Sequence, residues 1–129
     1  MIGYFTKGCE PKETGPVTST AEIRNGVCFV TLDGEFDRAN VGEVRTDIET
    51  CLEQASSVVF DFGGVTFANG AVMSLLFDVL DRLTDGSWLG VARPRPHIER
   101  LFGVAGLAAR PNFRIFSTLA EALDVIEKG

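Results

Sequence analysis

The sequence predicts a single α/β domain built on a mixed β-sheet, and three observations carry that prediction. Short β-branched or aromatic runs alternate with amphipathic stretches along most of the chain, the pattern of parallel strands joined by crossover helices. Asn25-Gly26 separates the first two β-rich runs, the strongest short hairpin signal, so an antiparallel pair opens the sheet. The length of 129 residues suits one domain.

The elements follow in order. Residues 1–16 are rich in Gly, Pro, Lys and Glu and are expected to form a flexible tail, leaving 17–129 as the domain. "TAEIRNGVCFVTLDGEF" gives the two hairpin strands. From Ala39 to Ala55, Val41, Val44, Ile48, Cys51 and Leu52 recur at helical spacing, which predicts an amphipathic helix. "SVVFDF", Ser57 to Phe62, is a buried strand. Gly70 to Leu83 is a second helix, with Asn69 suited to its N-cap. "SWLGVA" is a strand. Pro96 to Val104 is a short helix, opened by proline and ended near Gly106. "FRIF" is the last strand. Ser117 precedes the closing helix, with Glu121 near the position a capping box uses. No internal repeat or low-complexity segment occurs.

Composition narrows the function classes. A formal charge of -6 disfavours the phosphate backbone of nucleic acid as a partner. No apolar run approaches the roughly 20 residues of a bilayer span, and "MIGYFTKGCEPKETG" lacks the apolar core of a signal peptide. These point to a soluble, cytoplasmic protein without membrane insertion. Ten Phe beside one Trp and one Tyr predict a Phe-rich interior with few buried polar handles. Cys9, Cys28 and Cys51 form no CxxC pair, which speaks against zinc. In a reducing compartment they are expected to be three free thiols, with Cys28 a small core residue.

Little catalytic chemistry is visible. The single histidine, His97, lies in "RPRPHIER" and is expected at the surface, without the positioned partner that proton transfer needs. No GxSxG elbow, Walker loop or HExxH occurs, and Gly63-Gly64 is too short to cradle a pyrophosphate. Asp33, Glu35 and Asp37 would share one face of a strand at period two. They could be taken for a metal site or an acid/base pair, but Asp and Gly also mark a solvated strand end and turn. Arg93, Arg95 and Arg100, with Arg110 and Arg114, either form an anion-binding rim or a solvated basic face. No catalytic residue, metal or cofactor is expected.

The second helix is more informative. At 100° per residue, Val72, Leu75, Leu76, Val79, Leu80 and Leu83 cluster on a sheet-facing side. Gly70, Ser74, Phe77 and Asp81 fall opposite, within about 60° of one another, with Met73 beside them. Phe77 is expected to be largely exposed. With its small neighbours it is either an isolated apolar residue or the anchor of a flat docking patch.

"VTLDGEFDRANVGEVRTDI" resembles the opening of STAS domains, the family of bacterial anti-sigma factor antagonists, with Gly34, Glu35, Phe36 and Asp37 matching the family's Gly-Glu-apolar-Asp motif in order. "VVFDFGGVTFANGAVMSLL" is similar to the family's central segment, and "ARPRPHIERLFGVAGLAARPNFRIFSTLAEAL" to its C-terminal portion. The likeness runs from about Thr20 to Ile126. It implies a STAS-like domain with helices packed mainly on one face of the sheet. It also implies a partner switch, in which an unphosphorylated antagonist binds a kinase-type anti-sigma factor, frees the sigma factor, and is then phosphorylated on the hydroxyl that follows the motif's Asp. A phosphate adds roughly -1.5 to -2 charge at the docking face.

The sequence departs from the motif at that place. Asn69 occupies the Asp position, Gly70 the phosphoacceptor position, Ala71 the second hydroxyl position, and Val72 the following Gly. The resemblance therefore implies a non-catalytic antagonist without the usual switch, whose partner is a kinase-type anti-sigma factor or a related regulatory protein. Asp37, Asn69, Gly70, Met73, Ser74 and Phe77 are its expected partner-binding residues, and Ser74 is the alternative phosphoacceptor. A homodimer is left open. The competing expectation is a small-ligand or nucleotide-binding module using Arg93 and Arg95, or a STAS subunit of a larger transport or signalling assembly.

Overall fold

The computed structural model describes residues 3–7 and 18–128. Six strands form one sheet in sequential order: β1 (Gly3–Lys7), β2 (Thr18–Arg24), β3 (Val27–Phe36), β4 (Ser57–Ala68), β5 (Leu89–Ala92) and β6 (Phe113–Phe116). The first three pair antiparallel, and β3 to β6 run parallel. Helices α1 (Val41–Leu52), α2 (Gly70–Arg82) and α3 (Pro96–Ala105) connect the parallel strands, and α4 (Leu119–Lys128) closes the chain.

This layout follows from handedness. Each parallel connection is right-handed, and the strands advance in one direction across the sheet. All three crossover helices must then cover the same face. Alternate strand residues Cys28, Val30, Leu32, Val58, Phe60 and Phe62 turn to that face and join Val44, Ile48, Leu75, Leu76, Ile98 and Phe102 in the main core. No crossover constrains α4, which packs Ala122 and Ile126 against Val27, Phe29, Val59 and Ala92 on the opposite face. The first six residues of β4 are buried for this reason, as a strand covered on both sides must be. The expected Phe-rich interior is present: Phe60, Phe62, Phe102 and Phe113 form an edge-to-face series with centroids 5.5–6.3 Å apart.

The hairpin forms at Asn25-Gly26, with φ of 53° and 79°, the two positive values that a type I′ turn requires. Asn25 has a second role, since its Nδ2 donates to the carbonyls of Ile126 (2.9 Å) and Glu127 (3.3 Å). It thereby satisfies two carbonyls that the end of α4 would leave open. Thr118 and Glu121 make the reciprocal cap at the other end of α4. The Glu121 carboxylate accepts from the amides of Ser117 and Thr118, and the Glu121 amide donates to Thr118 Oγ1.

Two expectations are corrected. Gly3–Lys7, assigned to a flexible tail, forms an edge strand with Phe5 opposite Ala21. "YFT" is too short for alternation to be read, and pairing with β2 supplies what local propensity lacks. The rest of that segment, with Cys9, lies outside the described residues. Cys28 and Cys51 are not free thiols but a disulfide, with Cα atoms 6.0 Å apart. Composition gave no sign of it, because the packing of α1 on β3 alone brings together residues 23 apart in sequence.

Candidate functional site

The C-terminal ends of β3 and β4 and the start of α2 meet at one edge of the molecule. Phe36 pairs with Ala68, which sets Asp37 beside Asn69. Asn69 is the N-cap of α2, its Oδ1 accepting from the Ala71 amide at 3.0 Å. Asp37 holds the turn that leads into α1, whose N-cap position is Asn40: its Oδ1 accepts from the Ala39 amide at 2.8 Å, and its carbonyl accepts from Val41. Asn40 braces the turn by donating to the Glu35 carbonyl and accepting from the Asp37 amide. Both motif residues are therefore half-buried and hold local backbone. Gly70 is exposed, and a Cβ built on it meets nothing within 4 Å. Ser74 is exposed one turn further along α2.

Two of the expected docking residues are less exposed than the helical wheel gives. Met73 is 7 % exposed and belongs to the core. The 3₁₀ turn Leu107–Ala109 packs on this helix. Phe77 is half-buried rather than largely exposed. It packs against the core, and the Arg110 guanidinium lies over its ring at 5.9 Å while its Nη2 bonds Asp81 at 3.0 Å. A helical wheel cannot place a cover that arrives from a segment 33 residues later in the chain.

Val104 is exposed at 81 % on α3, and the exposed aromatic at the end of β4 is Phe67, at 43 %. Strict alternation from the buried Val65 would have turned it inward. Instead the pairing of β3 with β4 shifts twice, between Thr31 and Asp33 and between Gly34 and Glu35. Each shift inserts an extra residue in β4, as a β-bulge does. After the second, Thr66 and Phe67 both face outward and Ala68 returns inward. A bulge also leaves backbone groups without ladder partners. Here the loop entering α3 supplies them, with Arg95 Nε donating to the Val65 carbonyl at 3.1 Å and His97 Nε2 lying 3.3 Å from that of Thr66. No pattern in the sequence announces the bulge; the nearest signal is Gly34, at φ 112°.

Four arginines of the expected rim, Arg93, Arg95, Arg110 and Arg114, each engage a neighbour, while Arg100 is exposed. Arg93 donates from Nε and Nη2 to the two carboxylate oxygens of Asp61, each at 2.9 Å. This hydrogen bonding, with the attached charge attraction, raises the Arg93 pKa above its ordinary value. Asp61 is 3 % exposed, so the pair neutralises a carboxylate inside a strand that is otherwise apolar. Gly63 makes room for it, since a Cβ there would lie 2.5 Å from Arg93 Nε; Gly64 makes room instead for Asp33, whose carboxylate a Cβ would overlap. Arg95 and Arg110 are committed as described, and Arg114 lies over Trp88 at 4.7 Å. Asp33, Glu35 and Asp37 likewise separate, Asp33 toward Gly64 and Asp37 into the start of α1, while Glu35 stays exposed.

The STAS domain model matches residues 18–122. The chain belongs to the STAS domain family. Among solved structures it is similar to an anti-sigma factor antagonist from Mycobacterium paratuberculosis, with a TM-score of 0.76 at 22% identity, covering 92% of this chain and 99% of that one. It is also similar to the anti-sigma factor antagonist SpoIIAA in its unphosphorylated form (TM-score 0.72, 21% identity, 86% and 97% covered). The Bacillus cell fate determinant SpoIIAA in its phosphorylated form gives 0.66 at 21%, with 84% and 98% covered. At these identities the likeness establishes a shared fold. No curated protein matches the chain. Among the described residues, no helix of this STAS domain is long and apolar enough to cross a membrane.

Proposed function

We propose that this STAS domain is a non-catalytic, protein-binding regulator of the anti-sigma factor antagonist type, acting in the bacterial cytoplasm. Its partner is a kinase-type anti-sigma factor or a related regulatory protein, and it needs no cofactor. The observation that carries this reading is the exposed Phe67 set beside the open Gly70 at the end of β4. Asp37, Asn69, Gly70, Ser74 and Phe67 form the contact. A small residue at the helix start lets a partner backbone approach closely, and an aromatic beside it supplies the apolar area that dominates such contacts. Met73 and Phe77 support this surface from within.

SpoIIAA exists in unphosphorylated and phosphorylated forms. Gly70 has no side-chain hydroxyl to accept a phosphoryl group, so this protein is an antagonist that no kinase switches off at that position. Ser74 is the alternative acceptor. Thr46 and Thr50 of α1 donate their hydroxyls to carbonyls one turn back, whereas Ser74 makes no such bond and faces solvent. A phosphate there would stand one turn from Asp78, which already holds Arg45 at 2.7 Å.

The test is binding of the purified domain to kinase-type anti-sigma factors, read by calorimetry, followed by incubation with kinase and ATP and peptide mass analysis. The reading expects a complex that persists in ATP, and any phosphate to sit on Ser74. Failure to bind any such protein refutes it.

A further inference from the structure

We propose that the Cys28–Cys51 disulfide is a redox-set clamp on α1, closed in the oxidised chain and released by a dithiol reductant. Cys28 lies in β3, paired on both sides with Ile23 and Val58, and is a fixed anchor. Cys51 lies in the last turn of α1. Both are fully buried, at 0%, and their Cα separation of 6.0 Å is typical of a bridge.

The rest of this end of α1 is held by few groups and is open on one side. Beside Cys51, Ile48 is buried, Leu52 packs partly buried against the core, and Asp47 accepts from Ser19 Oγ at 3.3 Å. The helix ends at Glu53 in right-handed conformation, without a glycine cap or a basic residue in its last turn. On the flank facing α2, a cleft of about 230 Å³ opens between Glu49, Leu52 and Glu53 on one side and Arg82, Leu83 and Thr84 on the other. Arg45–Asp78 and Glu49–Arg82 span the seam between the two helices, but both pairs are substantially exposed, and such pairs contribute little. A solvent-open flank bridged only by exposed ion pairs is a mark of a segment that opens locally. The disulfide holds that segment to the sheet.

Reduction balances simply. A dithiol gives two electrons and two protons to the sulfur–sulfur bond, leaves two cysteine thiols, and itself becomes a disulfide. The attacking thiolate has to reach a sulfur directly. With both sulfurs enclosed, exchange requires α1 to open first. Once the pair is reduced, the C-terminal half of α1 loses its tether, and Arg45 and Glu49 lose their fixed positions against α2.

The experiment uses the full chain carrying Cys9→Ser, so that only this pair reports. Dithiothreitol is the reductant, and alkylation with intact-mass readout, amide hydrogen exchange and thermal melting are the measurements. The expected result has four parts. The air-oxidised protein resists alkylation. Its reduction is at least about a hundredfold slower folded than in denaturant. The reduced protein melts roughly 10 °C lower, consistent with losing a cross-link of this loop length. Amides of residues 46–53 then exchange at least about tenfold faster, beyond any change in β4 and β5. Cys51→Ala, if it folds, reproduces the reduced form; the reduced chain gives the same comparison if it does not. Two freely alkylated thiols in the oxidised preparation overturn the proposal. So does reduction as fast in the folded state as in denaturant, or an exchange change spread evenly over the molecule, which would make the bridge a passive staple.

Discussion

Arg93 reaches across from the end of β5 and grips both carboxylate oxygens of Asp61 on β4 at 2.9 Å. Arg93 itself sits at φ 45°, a left-handed conformation that a side-chain-bearing residue adopts at a cost, and its amide donates to the Phe116 carbonyl at 2.8 Å. One residue thus ties three strands together and starts the loop that leads to α3. Removing it leaves a buried carboxylate without its partner. Arg93→Ala is expected to cost about 2–3 kcal/mol, below the usual 3–5 for a buried pair because the Arg93 side chain is 48% exposed. Urea unfolding measures it, and a loss under about 0.5 kcal/mol, the range of ordinary surface changes, would show that the pair is decorative.

The two glycines before the bulge and the glycine at the helix start should respond oppositely to a side chain. Gly63→Ala forces a methyl group into Arg93 and breaks the pair above, so it should destabilise by about 1–3 kcal/mol, as overpacking does. Gly70→Ser enters open space and should leave the melting temperature unchanged or slightly raised, because glycine is the weaker helix former. With Asn69→Asp it should also create a phosphate acceptor for a kinase that docks here, detectable by mass. Unfolding of Gly70→Ser would mean that Gly70 serves the fold.

Phe67 and Phe77 should separate binding from stability. Full burial of a Phe is worth about 1.5–3 kcal/mol. Phe67 is already partly covered, so Phe67→Ala should weaken partner binding by roughly tenfold with little change in melting. Phe77→Ala should act mainly on stability, since it removes packing and the ring under Arg110. Leu76→Ala, deep in the core, sets the scale at about 2–5 kcal/mol. Calorimetry of the complex and thermal melting of each variant decide the assignment. If Phe77→Ala weakens binding while melting is unchanged, the docking surface lies further along α2.

Asn25 should matter more than a turn residue normally does. Asn25→Ala removes both a side chain tolerant of positive φ and the hydrogen bonds to the end of α4. The expected loss is about 1–2 kcal/mol, the sum of a strained turn and a lost cap. Asn25→Gly restores the turn but not the bonds and should recover only part of it. Hydrogen exchange at residues 124–127 should rise in both variants.

Much of this fold is local and was legible in the sequence. The hairpin at Asn25-Gly26 depends on backbone preferences of those two residues. The limits of α1, α2 and α3 depend on apolar spacing, on the Asn69 cap and on Gly106, whose φ of 93° ends α3. The core side of α2 follows from its period, and the motif around Asp37 and Asn69 leads to the family. Each of these signals resides within a few residues, where sterics and hydrogen-bond geometry act without the rest of the chain. What lay beyond reach is non-local. Strand Gly3–Lys7 exists because β2 offers it an edge. Cys28 meets Cys51 only when α1 lies on β3. The burial of Met73 depends on the core assembled around it, and the covered Phe77 on Arg110 folding back over α2. Phe67 faces outward, rather than inward as alternation from Val65 gives, because the second slip in the β3–β4 pairing falls between them, and strand register is set by the partner strand as well as by the residue itself. The sequence alone determined most of the helices and strands and the family they belong to; the tertiary structure added strand Gly3–Lys7, carried β4 on from Phe62 to Ala68, and decided which side chains at the end of β4 and the start of α2 remain on the surface, because pairing and burial depend on what the rest of the chain brings to them.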